Sequence, residues 1–190
     1  MEFIHIPKTG GRAISDYFGS IECHPHKLKC DANGLYFTVV REPLSRFESM
    51  FRFWKNGSTE CERDCVFTKK TQSHSIKDYI RMIRDQKSPE LYHGFTKESH
   101  IRPQSHWIPR DAWLNTVVIR YQSDMDSQLK RFLEYTGKPQ TGHLPFRNVS
   151  HGPRETLDAE DLVWVKEYYR DDFELWCAVN EHPELFKKVI

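Results

Sequence analysis

The sequence predicts an α/β fold, a parallel β-sheet flanked by helices. Two observations carry that prediction. Apolar runs rich in aromatic and β-branched residues recur at Phe3–Ile6, Leu35–Val40 and Asn115–Tyr121, the pattern of buried strands. Each run leads through a turn into residues at helical spacing. The first strand, a helix and the second strand follow one another directly, which makes a βαβ unit and favours parallel pairing. A chain of 190 residues suits one domain with its own core, taken here as 1–190.

Composition narrows the function. Hydrophobic residues at 38% and aromatics at 13% fit a globular protein and exclude a disordered one. A net charge of +1 gives no global field for nucleic acid, so any anion binding must be local. No run of 18 apolar residues is present, so no membrane span is expected. The chain enters its first strand at once, without a leader or anchor, and the reading is of a soluble, cytoplasmic protein. Its five cysteines, Cys23, Cys30, Cys61, Cys65 and Cys177, are an odd count and read as reduced thiols. Cys61 and Cys65 lack a second pair at zinc spacing, so no metal site is expected, and a disulfide between them stays open. Oligomeric state is not legible.

The first strand runs into Pro7-Lys8-Thr9-Gly10-Gly11, and a helix follows from Arg12 and Ala13 toward Gly19. That order builds an anion site. Amides at a helix start and the helix dipole favour negative charge, Lys8 adds a full positive charge, and the glycines let the main chain approach closely. The lysine precedes the glycines, so the loop is P-loop-like without being a Walker A sequence.

A polar loop follows, containing His24-Pro25-His26, and then a turn at Asp31-Ala32-Asn33-Gly34. Past the second strand, Arg41-Glu42-Pro43 opens a helix. Pro43 suits its first turn, and Leu44, Phe47, Met50, Phe51 and Trp54 form its inner stripe. Arg41 sits where strand meets helix, the ligand edge of an α/β sheet, and Ser49 lies two turns along. Residues 56–75 read as irregular, Ser75–Gln86 as a helix, and 87–113 as turns around prolines. The third strand leads to a helix from Ser123 or Asp124 to Gly137. Leu144–Gly152 is a polar loop. Leu157–Val179 reads as one long helix with Leu162, Val165, Tyr169, Phe173 and Trp176 inward.

Pro-Lys-Thr-Gly-Gly after a strand resembles the 5′-phosphosulfate loop of sulfotransferases, especially the carbohydrate (type 2) branch. Arg41-x-Pro43-x-x-Arg46-x-x-Ser49 resembles their 3′-phosphate motif, with Glu42 where the family usually has Asp. Looser similarity extends to Arg120-Tyr121, to the Tyr169–Leu175 segment, and to a late loop that closes over the donor, where Asn148 and Ser150 match. The resemblance implies the sulfotransferase fold and 3′-phosphoadenosine 5′-phosphosulfate as donor, leaving adenosine 3′,5′-bisphosphate, with no metal. Pro7, Lys8, Thr9, Gly10, Gly11, Arg12, Ala13, Arg41, Ser49, Asn148 and Ser150 are the implied nucleotide-binding residues.

Family carbohydrate enzymes normally carry a membrane anchor and stem. The chain therefore looks like a minimal microbial or viral version, or an excised Golgi-type catalytic domain. The implied acceptor is a hydroxyl, on a carbohydrate first. His24-Pro25-His26 resembles the His-x-His of uronyl and heparan sulfate 2-O-sulfotransferases, where the second histidine is the base. That nominates His26, with His24 beside it, and Lys8 for the leaving phosphate. Two other readings stay open: a nucleotide or small-molecule kinase using the same loop, and an inactive nucleotide-binding interaction protein.

Overall fold

A computed structural model of the protein describes residues 2–18, 24–25, 33–56, 73–85, 100–137 and 153–187. Chain contacts divide it into two compact units, one built from Met1–Glu42, Pro103–Arg147 and Asp171–Ile190, the other from Pro43–Arg102 and Asn148–Arg170.

The first unit holds a four-stranded sheet. Its strands are β1 (Glu2–His5), β2 (His24–Pro25), β3 (Tyr36–Val40) and β4 (Thr116–Arg120), in the order β2-β1-β3-β4. Every pairing is parallel, so all strands end at one edge. The α/β parallel-sheet prediction is met. β2 lies in the stretch that the sequence predicts as a polar loop: His24 pairs with Ile4 and Pro25 with His5. A two-residue edge strand has no room for an alternating pattern, which is why it escapes a pattern reading.

Helix α1 (Gly11–Phe18) follows β1, and α4 (Met125–Tyr135) will follow β4. β3 is buried along its whole length, as expected of a strand covered on both faces. One face packs Phe3, Ile14, Phe37, Val117, Met125 and Phe132 together. The other packs Ile4, Ile6, Val40, Trp107, Ile108 and Leu175. Thr38 reaches across the sheet instead, donating to the Ile4 carbonyl at 2.8 Å.

The second unit is helical among its described residues. Helix α2 (Pro43–Asn56) buries Phe47, Met50, Phe51 and Trp54 of the predicted stripe and leaves Leu44 half-buried. Helix α3 (Ile76–Asp85) buries Ile76, Tyr79, Ile80 and Ile83. The Tyr79 ring lies 4.9–5.6 Å from those of Phe47, Phe51 and Trp54. Arg46 is buried here, and its Nη2 donates to the carbonyls of His100 and Arg102, each at 3.0 Å. It is therefore a bracket for that segment and not a solvated side chain.

The predicted long C-terminal helix is two. Helix α5 (Ala159–Tyr168) ends at Tyr169, whose φ of −104° and ψ of 24° leave the helical region, and α6 (Arg170–Glu181) begins next. Tyr169 is held there by its hydroxyl, which donates to the Ile101 carbonyl at 2.7 Å. The break changes the inner face of α6. Asp172, Leu175, Ala178 and Val179 are buried, and Phe173 and Trp176 are only half-buried.

Candidate functional site

Parallel pairing brings four chain exits to one edge: His5 from β1, Pro25 from β2, Arg41 after β3 and Tyr121 after β4. That carboxyl edge is where open α/β sheets bind ligands.

The loop after β1 is tightly wound. Lys8 has φ 66°, the only positive value at a non-glycine residue among those described, and Gly10 has φ 83°. Left-handed backbone at a lysine costs about 1–2 kcal/mol, so its surroundings hold it there. Thr9 is one restraint. It is fully buried, and its hydroxyl donates back to the Ile6 carbonyl at 2.8 Å. Thr9 thus faces inward, and its main chain is the part that faces the loop. Pro7 is buried and Lys8 half-buried.

Helix α1 opens at Gly11. Its first intrahelical bond is from the Ile14 amide to the Gly10 carbonyl at 3.3 Å. The amides of Gly11, Arg12 and Ala13 come before that bond and have no carbonyl partner inside the helix. With a turn of positive φ leading in, this is the geometry of a main-chain anion site.

The two glycines do different work from each other. A Cβ on Gly11 would lie 1.9 Å from Cδ2 of His5, so the imidazole occupies the space of a side chain. A Cβ on Gly10 would lie 2.9 Å from Cε2 of Tyr121, and Gly10 also needs its positive φ. Sequence reasoning read both simply as room for an anion.

Arg41 joins this loop to the next strand. Val40 pairs with Arg120, so the register sets Arg41 beside Tyr121. Its guanidinium lies 4.7 Å from the Tyr121 ring centre, and Nη1 donates to the Lys8 carbonyl at 3.4 Å. Tyr121 is 40% exposed; its ring fills the place where a Gly10 side chain would begin, and the Arg41 guanidinium lies over it. Lys8, Gly10, Arg41 and Tyr121 are therefore one cluster. The Arg41 guanidinium and the start of α1 meet there, at the main chain of the residue that carries the Lys8 ammonium.

Two further residues support it. The Arg41 amide donates to Oε1 of Gln104 at 2.9 Å, and Nε2 of Gln104 donates to the Arg41 carbonyl at 2.8 Å. The amides of Gln104 and Ser105 donate to Oδ2 and Oδ1 of Asp172, both at 2.8 Å. Gln104 and Asp172 are buried; the sequence reading does not single out Gln104, and it includes Asp172 only as the Asp of the Tyr169–Leu175 similarity, with no role. The available signal was Asp172 itself, an acid on the apolar stripe of a helix.

Ser49 is buried on α2, in the second unit. The main chain of His24 is in β2 beside Ile4. His26, Asn148, Ser150, Cys61 and Cys65 fall outside the described residues. Among the described residues, no group of three His, Cys, Asp or Glu gathers as metal ligands do, and no helix is long and apolar enough to cross a membrane.

A family model described as "Sulfotransferase family" matches residues 17–176. That span takes in Arg41, Ser49, Gln104, Tyr121, Asn148, Ser150 and Asp172. It starts beyond the Pro7–Gly11 loop, whose reading rests on geometry. No curated protein and no solved structure gives a significant match.

Proposed function

The chain belongs to the sulfotransferase family, and we propose that it moves a sulfuryl group from 3′-phosphoadenosine 5′-phosphosulfate to a hydroxyl, on a carbohydrate first. The observation that carries the donor assignment is the left-handed Lys8 at the mouth of α1, tied through its carbonyl to Arg41. The residues present fit such a donor. The cluster offers main-chain amides and a lysine, suited to a 5′-phosphosulfate, and a guanidinium, suited to a second phosphate.

When bound, the donor supplies the sulfuryl group and departs as adenosine 3′,5′-bisphosphate. Lys8 and the amides of residues 9–13 stabilise the negative charge that grows on the leaving oxygen, a task best done by groups already fixed in place. Arg41 binds the 3′-phosphate, joined by Ser49 on the strength of the motif spacing. Asn148 and Ser150 close over the nucleotide. The acceptor hydroxyl gives its proton to a neutral imidazole, His26 before His24. This last assignment takes support from β2, whose last residue, Pro25, lies beside His5, at the edge where the anion loop begins. The His24-Pro25-His26 pattern resembles that of the uronyl 2-O branch, and residues 1–190 serve as one catalytic domain.

Thermal shift tests the donor. Adenosine 3′,5′-bisphosphate should stabilise the protein without metal, and ATP with magnesium should not. A larger response to ATP with magnesium points to a kinase and overturns the reading; indifference to both points to an interaction protein. Labelled donor offered to glycans, steroids and phenols then identifies the acceptor class, with transfer to glycans expected.

A further inference from the structure

We propose that Gln104 is a positioning residue, whose carboxamide, fixed by Asp172, aims Arg41 at the nucleotide's 3′-phosphate. The inference rests on the donor reading above.

The argument starts at the end of β3. Pairing between β1 and β3 stops at Ile4 and Thr38. Beyond that point β3 has a strand neighbour on the β4 side only, where the Tyr121 amide donates to the Val40 carbonyl at 2.7 Å. Backbone polar groups alternate sides along a strand, so the N–H and C=O of Arg41 turn away from β4. They need partners there, because buried main-chain groups without them cost free energy.

Gln104 supplies both. One carboxamide accepts from the Arg41 amide and donates to its carbonyl, as a neighbouring strand would. It reaches in from 63 residues along the chain and is 1% exposed. Asp172 then fixes Gln104. Its fully buried carboxylate accepts the amides of Gln104 and Ser105 at the start of a short 3-10 turn. Asp172 thus orients the turn, the turn orients the carboxamide, and the carboxamide fixes the backbone from which the Arg41 side chain departs. A purely apolar side chain of equal size would fill the same space without setting that direction.

The test compares the affinities of adenosine 3′,5′-bisphosphate and adenosine 5′-monophosphate by calorimetry on the full chain. Gln104→Met keeps length and burial and removes both hydrogen bonds. It should lower the ratio of the two affinities by about tenfold, within the range that small misplacements cost, and leave the monophosphate unchanged. Added to Arg41→Ala, it should change the ratio no further, since a residue acting through Arg41 has nothing left to act on. Asp172→Asn should move the ratio the same way by a smaller factor, so the inference is read even where Gln104→Met does not fold. A wild-type ratio in Gln104→Met and Asp172→Asn, with the ratio lost in Arg41→Ala, overturns the inference and spares the donor reading. Equal losses for both nucleotides also overturn it, since a general packing role predicts them. A wild-type ratio in Arg41→Ala is the separate result that removes the 3′-phosphate assignment, and the inference with it.

Discussion

The Arg41 guanidinium donates to the main-chain carbonyl of Lys8 at 3.4 Å. The contact is long, but its placement matters. It joins the residue after β3 to the one described non-glycine residue with left-handed backbone. Positive charge and backbone strain therefore sit at the same point, as expected where a structure is shaped for a ligand and not for stability alone.

Lys8 separates those two properties. Lys8→Ala removes the ammonium and keeps the penalty of positive φ. Lys8→Gly removes both. Each variant should lose about 10²-fold or more in kcat, the scale of a missing charge partner in the transition state. Lys8→Gly should match or exceed Lys8→Ala in chemical denaturation, since glycine is at ease where alanine is strained by about 1–2 kcal/mol. Turnover within about threefold of wild type in both variants places Lys8 away from the leaving group.

Gly11 and His5 form a testable pair. A methyl at Gly11 meets the imidazole edge at 1.9 Å from Cδ2. His5 is half-buried and stacks on Phe3, with ring centres 6.0 Å apart, so the ring has limited room to swing. Gly11→Ala should destabilise by about 1–3 kcal/mol, the usual cost of overpacking. In a His5→Ala background the same change should cost at least ~1 kcal/mol less. Urea titration of the four proteins measures the coupling; additive losses would mean the ring is not what excludes the methyl.

Much of this was legible in the sequence, and the reasons are local. Three strands carried enough apolar residues to show, and the spacing from Phe47 to Trp54 showed the apolar part of the inner face of α2. Lys8 and Arg41 stood out because strand ends and helix starts leave signatures within a few residues. What stayed hidden depends on distant partners. Gln104 reaches Arg41 across 63 residues, and Asp172 reaches Gln104 across 68. Nothing near Pro103-Gln104 announces either bond. The break at Tyr169 likewise follows from a hydroxyl bonded to the Ile101 carbonyl, 68 residues away.

Arg46 offers the contrast with Arg41 inside one motif. It is 1% exposed, and its two carbonyl partners belong to His100 and Arg102. A lysine there has no planar fork and holds both carbonyls poorly. Arg46→Lys should therefore lower stability by about 1.5–3 kcal/mol, the range for hydrogen bonds to a charged group. The folded protein should bind adenosine 3′,5′-bisphosphate as wild type does. Denaturation midpoint and calorimetry on the same sample separate the two effects, and a selective loss of affinity for the 3′-phosphorylated nucleotide would give Arg46 a binding role.

The base is the last assignment to test. Pro25 ends β2 at the carboxyl edge, beside His5, and fixes one backbone angle between His24 and His26. A histidine accepts a proton only when neutral, and an unperturbed imidazole titrates near pH ~6.5. Raising the pH through about 6–7 should therefore raise kcat in the wild type, because the neutral fraction grows. His26→Ala should lose roughly 10²–10⁴-fold in kcat, the usual general-base contribution, and still bind adenosine 3′,5′-bisphosphate. His24→Ala should be milder, since a neighbouring ring orients the acceptor or the base without taking the proton. The pH dependence should flatten in His26→Ala and persist in His24→Ala. Full activity in His26→Ala moves the role to His24 if that variant then shows the larger loss. If neither variant loses turnover, the proton goes to another group, with His106 and Glu22 the next to substitute.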